Sequence, residues 1–100
     1  MTHAIRIHKA GAPEVLQWDA VEVGKPGPGQ VRLRQTACGL NYIDIYMRDG
    51  SYPIAQLPSV LGMEAAGVVE QLGEGVTDLA IGDRVAYAMV AGAYAEERII

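Results

Sequence analysis

Between Asn41 and Tyr52 the sequence gathers Asn41, Tyr42, Asp44, Tyr46 and, past a turn, Tyr52, and three of the chain's five tyrosines fall there. The chemistry such a set offers is hydrogen bonding: amide, phenol and carboxyl groups that donate or accept. Local pattern gives the same residues a second role. Asn41 is a favoured N-cap residue, and Asp44 three places on can return a carboxylate to the cap N–H. Ile43, Tyr46 and Met47 then recur at helical spacing, and Gly50 can close the helix in the left-handed conformation. The spacing predicts one short helix, Tyr42 to Asp49. Pattern alone favours a capped helix edged with half-buried tyrosines over a binding surface.

Other chemistries find less support. Zinc needs Cys, His and carboxylate groups at short spacing. Cys38 is the only cysteine, and the two histidines, His3 and His8, lie five apart on a predicted strand and so face opposite ways. No metal site is expected; surface histidines and a packed thiol account for these residues. Gly73-Glu74-Gly75 imitates the start of a dinucleotide fingerprint, but the third glycine is missing, so a tight turn is expected. Gly62-Met63-Glu64-Ala65-Ala66-Gly67 has the wrong spacing as well. Glu64 stands out as a carboxylate inside an apolar run. Burial would demand a partner, and Arg48 or Arg84 is expected to supply it.

Strands must carry these residues. Thr2 to His8 alternates, with Ile5 and Ile7 against Arg6 and His8. Leu16 to Val23 follows, with Leu16, Trp18 and Ala20 on one face. Lys25-Pro26-Gly27-Pro28-Gly29-Gln30 is the strongest turn signal. Val31 and Leu33 then point inward against Arg32 and Arg34, in a strand running on through Ala37, Cys38 and Leu40. Ser51 to Pro58 reads as loop. Leu61 to Leu72 reads as a strand buried on both faces. Strands over Arg84–Met89 and Ala93–Ile100 complete the chain.

One hundred residues make one domain, and half of them are apolar, enough for a core. A net charge of −4 with scattered Lys and Arg argues against nucleic acid or an anionic membrane as partner. One cysteine allows no internal disulfide, which suits a reducing cytoplasm. Neither a secretory leader nor a transmembrane stretch is legible. The apolar Ile99-Ile100 at the end leads us to expect a following domain.

Taken together, several segments resemble the N-terminal part of the zinc-free medium-chain dehydrogenases/reductases, within them the zeta-crystallin-like NADPH:quinone oxidoreductases. They are Gly11-Ala12-Pro13-Glu14-Val15-Leu16, the run Asn41 to Gly50, Tyr52-Pro53, Leu61 to Val69, Gly82-Asp83-Arg84-Val85 and Gly92-Ala93-Tyr94-Ala95-Glu96. Zinc-bound relatives carry Cys at the position of Asn41, His at that of Met63, and a cysteine-rich lobe after Gly-Asp-Arg-Val; this chain has none of these. The resemblance implies a mostly β, GroES-like barrel with one helix near residues 42–49. Residues 1–100 would be the N-terminal catalytic domain, with a C-terminal Rossmann domain lying outside them.

By the same resemblance, Asn41, Tyr46 and Tyr52 face the nicotinamide end of NADPH and a quinone, with Met63 on the same wall. Asn41 would orient, and the two tyrosines would position the ring and stabilise the reduced oxygen. Asp44 is expected to cap the helix rather than act as a base. The implied enzyme is a cytoplasmic homodimer, and these residues alone, half a cleft, should not turn over. Two rivals stand beside it: a zinc-free enoyl or alkenal reductase of the same superfamily, and a standalone GroES-like binding module.

Overall fold

The computed structural model describes residues 2–100. Its strands are β1 (Thr2–Ile7), β2 (Leu16–Val21), β3 (Val31–Cys38), β4 (Ser59–Val60), β5 (Glu64–Leu72), β6 (Arg84–Ala88) and β7 (Glu97–Ile99); the helix α1 (Tyr42–Asp49) follows β3. They form two antiparallel sheets, ordered β2-β1-β4 and β6-β5-β3-β7. The fold is mostly β, as expected, but the sheets do not close into a barrel. An isolated bridge joins Ala4 of β1 to Ala95, just ahead of β7.

Alternation places the core. Val31 and Leu33 of β3 and Val69 of β5 are buried together, with Leu72, Val76, Leu79, Val85, Tyr87 and Ile100 packed against them. Each such side chain contributes roughly 1.5–3 kcal/mol by leaving water. Arg34 faces outward, whereas Arg32 lies between Glu97 (2.8 Å) and Glu70 (3.3 Å) and ties β7 and β5 across β3. The Pro- and Gly-rich turn is closed by the Gly27 N–H on Gln30 Oε1 (2.9 Å), and the Gly73 N–H donates to the Gln30 carbonyl (2.7 Å).

Several expectations need correction. β3 ends at Cys38, with register shifts at Arg32/Leu33 and Gln35/Ala37, and Leu40 is exposed. β5 begins at Glu64 and is not buried on both faces: Ala65, Gly67 and Val69 point inward while Ala66, Val68 and Glu70 are only half-covered. No layer packs fully over the second face. β2 stops at Val21, and its Leu16-Trp18-Ala20 face is exposed; Trp18 stacks on His3 at 5.1 Å.

The final strand is short because residues 92–96 bond sideways instead. The N–H groups of Gly92 and Ala93 donate to the Gly62 carbonyl, Tyr94 to Leu61 and Glu96 to His3, while the Ile5 N–H donates to the Tyr94 carbonyl. The Gln35 amide donates to the carbonyls of Ala93 (2.9 Å) and Ala95 (2.7 Å). This irregular stretch thus binds both sheets.

Candidate functional site

The helix is where the local pattern predicts it. Asn41 is its N-cap, extended at φ −129° and ψ 156°, and Gly50 ends it left-handed at φ 92°. Asn41 and Asp44 form a capping box, with the Asn41 N–H donating to Asp44 Oδ2 at 3.0 Å; the Asp44 N–H also lies 3.1 Å from the Asn41 backbone carbonyl. Asp44 in the first turn and Arg48 in the last complement the helix dipole. At the other end, Arg48 Nε donates to the Gly11 carbonyl (3.2 Å) and the Gly11 N–H to the Arg48 carbonyl (2.9 Å). Both ends of a two-turn helix are therefore tied down, which it needs, since isolated short helices are marginal in water.

The tyrosines are presented to solvent. Tyr46 is 40% exposed and Tyr52 55%. Their rings meet edge to face with centroids 5.5 Å apart, and the Tyr52 N–H donates to the Tyr46 carbonyl at 3.0 Å. The turn after the helix thus folds Tyr52 back onto Tyr46. Tyr42 and Leu40 are also exposed, and Asn41 is half-buried.

Met63 reaches the same end of the molecule through two links. The Gly39 N–H donates to the Glu64 carbonyl at 3.0 Å, joining the segment before the helix to the residue after Met63. The second link is Tyr94, whose hydroxyl donates to Asp44 Oδ2 while its ring lies against Gly62. Met63 itself is half-buried, its carbonyl accepting the Val90 N–H at 3.2 Å. The structure thus pairs Tyr46 with Tyr52, and it ties the Asn41 cap to the Gly62-Met63-Glu64 backbone through Asp44, Tyr94 and Gly39.

Glu64 overturns its expectation. It is exposed, and it forms no ion pair with Arg48 or Arg84. As the first residue of β5 it packs over Gly39, where a Cβ would come within 2.2 Å of Oε1. A groove of about 380 Å³ lies here, lined by Cys38, Gly39, Glu64, Tyr87 and alanines of β3, β5 and β6. The buried carboxylate is Asp44, 3% exposed.

Tyr94 is the residue that sequence reasoning missed as part of the site. Burial, then its bond to Asp44, pushes its phenol well above the ordinary value, so it stays a donor. It stood in the Gly92-Ala93-Tyr94-Ala95-Glu96 segment, but nothing local links it to Asp44, fifty positions away. Cys38 is exposed rather than packed; its thiol donates to the Ala93 carbonyl at 2.8 Å, and partial desolvation raises its pKa. Among the described residues, no three His, Cys, Asp or Glu side chains gather to hold a metal, and no helix is long and apolar enough to cross a membrane.

Two antiparallel sheets and one capped helix after the third strand, which with its following turn exposes Tyr42, Tyr46 and Tyr52, define a β domain. Residues 27–98 match the family model for the alcohol dehydrogenase GroES-like domain, and the chain belongs to that family. It is 50% identical to a 2-haloacrylate reductase of Burkholderia sp over 99% of its length, and 48% identical to a quinone oxidoreductase of Pseudomonas aeruginosa over 100%. In each case it spans 31% of the relative. The structure of the Escherichia coli quinone oxidoreductase complexed with NADPH superposes with a TM-score of 0.94 at 43% identity, over 98% of this chain and 30% of that one.

Proposed function

We propose that this chain is the N-terminal wall of the catalytic cleft in an NADPH-dependent reductase that passes hydride to a quinone without a metal. The observation that carries the reading is the rim itself: Tyr46 and Tyr52 stand open to solvent on one capped helix and its following turn, with the half-buried Asn41 at the helix N-cap, on a domain similar throughout to an NADPH-bound quinone oxidoreductase. In this reading a nucleotide-binding Rossmann domain, outside these residues, supplies the opposite wall. That the chain spans 31% of its curated relatives supports it. Asn41 and Met63 stand where zinc-bound relatives keep ligands, which supports the metal-free branch. A dimeric, cytoplasmic enzyme is inferred from the family resemblance and from the single cysteine.

The residues fit a nicotinamide and a flat acceptor. Asn41 offers an amide, complementary to a carboxamide, and the tyrosines offer ring edges, ring faces and hydroxyl groups. When bound, NADPH supplies the hydride. The protein's share is to bind, orient and stabilise. Asn41 holds the ring in register, the Tyr46–Tyr52 pair sets where the acceptor lies, and a tyrosine hydroxyl donates to the acceptor oxygen as charge develops on it. Met63 fills the wall beside them.

Tyr52→Phe and Asn41→Ala in the full-length protein test the reading. Each should lower quinone turnover by on the order of 10-fold or more, within what one orienting or oxyanion-type donor contributes. Unchanged turnover and NADPH affinity in both would sink it. The 50% identity to a 2-haloacrylate reductase favours a second reading, reduction of an activated C=C bond. Rates of NADPH oxidation with a quinone and with a 2-haloacrylate, compared on one preparation, decide between the two.

A further inference from the structure

We infer that Tyr94 and Asp44 are positioning residues for the site, a two-residue brace that fixes the Asn41 end of the cleft against the Met63 end; the inference rests on the function proposed above. Three observations carry it. First, Asp44 is 3% exposed, and its Oδ2 accepts both the Asn41 N–H and the Tyr94 hydroxyl. A helix cap alone needs only the first of these bonds and no burial; exposed caps serve as well.

Second, Tyr94 is held from every side. Its N–H donates to the Leu61 carbonyl (2.8 Å), its carbonyl accepts the Ile5 N–H (2.7 Å), and its ring occupies the space over Gly62, where an added Cβ would lie 2.5 Å from Cδ1. The ring therefore has a set place relative to Gly62-Met63, and the hydroxyl carries that placement to Asp44 and on to Asn41. Third, Asp44 Oδ1 is buried without a partner. Such a group is costly, and structures retain it where the arrangement serves something other than stability. The fold here spends one oxygen to hold the other between two donors.

The brace touches neither cofactor nor acceptor in this reading; it acts through Asn41. Catalysis is sensitive to such placement, since a displacement of about 1 Å at a reacting centre can cost about 100-fold. The test is a double-mutant cycle on the full-length protein: wild type, Tyr94→Phe, Asn41→Ala and the double variant, assayed for NADPH oxidation with a quinone and with a 2-haloacrylate. Tyr94→Phe keeps the ring over Gly62 and removes only the hydroxyl. It should lower kcat by on the order of 10-fold, leave KM for the acceptor within about twofold, and raise the isotope effect with NADPH deuterated at C4. In the Asn41→Ala background the same change should cost about nothing further.

An equal loss in both backgrounds, or no loss in either, overturns the brace. A merely structural role would lower stability and both backgrounds alike without changing the isotope effect. Should Tyr94→Phe not fold, Asp44→Asn enters the same cycle, since it keeps an acceptor for the Asn41 N–H; a loss that vanishes beside Asn41→Ala supports the brace, and a loss that persists overturns it. If the wild type oxidises NADPH with neither acceptor, the proposed function fails first, before any variant is read, and the brace falls with it.

Discussion

Gly62 sets a stability test whose magnitude can be worked from geometry. Its φ is +96°, and an alanine Cβ there would stand 2.5 Å from Tyr94 Cδ1 and 2.9 Å from Ala93 Cβ. Gly50 has nearly the same backbone, φ +92°, but its added Cβ would meet only Ala10 Cβ, at 3.3 Å. The left-handed conformation costs an L-residue roughly 1–2 kcal/mol, and both variants carry that cost. Only Gly62→Ala adds overpacking, which runs about 1–3 kcal/mol when rigid neighbours must shift. Tyr94 cannot swing away freely, because its hydroxyl and both backbone groups are bonded.

Gly50→Ala should therefore destabilise by about 1–2 kcal/mol and Gly62→Ala by roughly 2–5 kcal/mol. The difference isolates the crowding under Tyr94. Urea unfolding followed by far-ultraviolet circular dichroism measures both, with the slope checked for constancy. Equal midpoints for the two variants would refute the claim that the Tyr94 ring is locked in place. A Gly62→Ala protein rescued by Tyr94→Ala would confirm which neighbour is responsible.

Two further predictions follow from other parts of the fold. Leu33 is almost fully buried at the centre of the four-stranded sheet, so Leu33→Ala should cost about 2–5 kcal/mol in the same unfolding assay, while a change at the outward-facing Arg34 should cost under about 0.5 kcal/mol. Asp19 is held below the usual carboxylate value by its bond from Arg6 (2.6 Å), then by His8 (2.7 Å). A folded pKa below the unfolded one adds stability above the unfolded value, lost as pH falls through the folded value. Asp19→Asn should thus lower the urea midpoint at neutral pH, and the gap to wild type should narrow as the pH falls into the acid range; a gap that does not change with pH would contradict the assignment.

What sequence could reveal followed the range of the interactions. The helix was legible to the residue, from Asn41 through Asp49, because cap, first turn and glycine stop all lie within ten positions. The inward Val31 and Leu33 were legible from alternation. Glu64 was misjudged because an apolar run says nothing of which residue starts the paired strand, and the first one faces out over Gly39. The shortened last strand and the open arrangement of the sheets were illegible because residues 92–96 satisfy their backbone with Gly62, Leu61 and His3, all distant in sequence. Of the site, the exposed tyrosines belong to one local segment and could be found there. Tyr94 could not, since its role arises only when the fold sets it beside Asp44.

The stretch from Gly92 to Glu96 has no regular structure, yet it behaves unlike a loop in one practical respect. Loops usually absorb length changes, because their backbone groups face water. Here the N–H groups face Gly62, Leu61 and His3, and the carbonyls of Ala93 and Ala95 receive Gln35. One inserted residue would break register with both sheets at once and carry Tyr94 off Asp44. Grafting, tagging or permuting this domain therefore has room in the exposed stretch from Ala55 to Leu57, past Tyr52, but none in the five residues that look least ordered on paper.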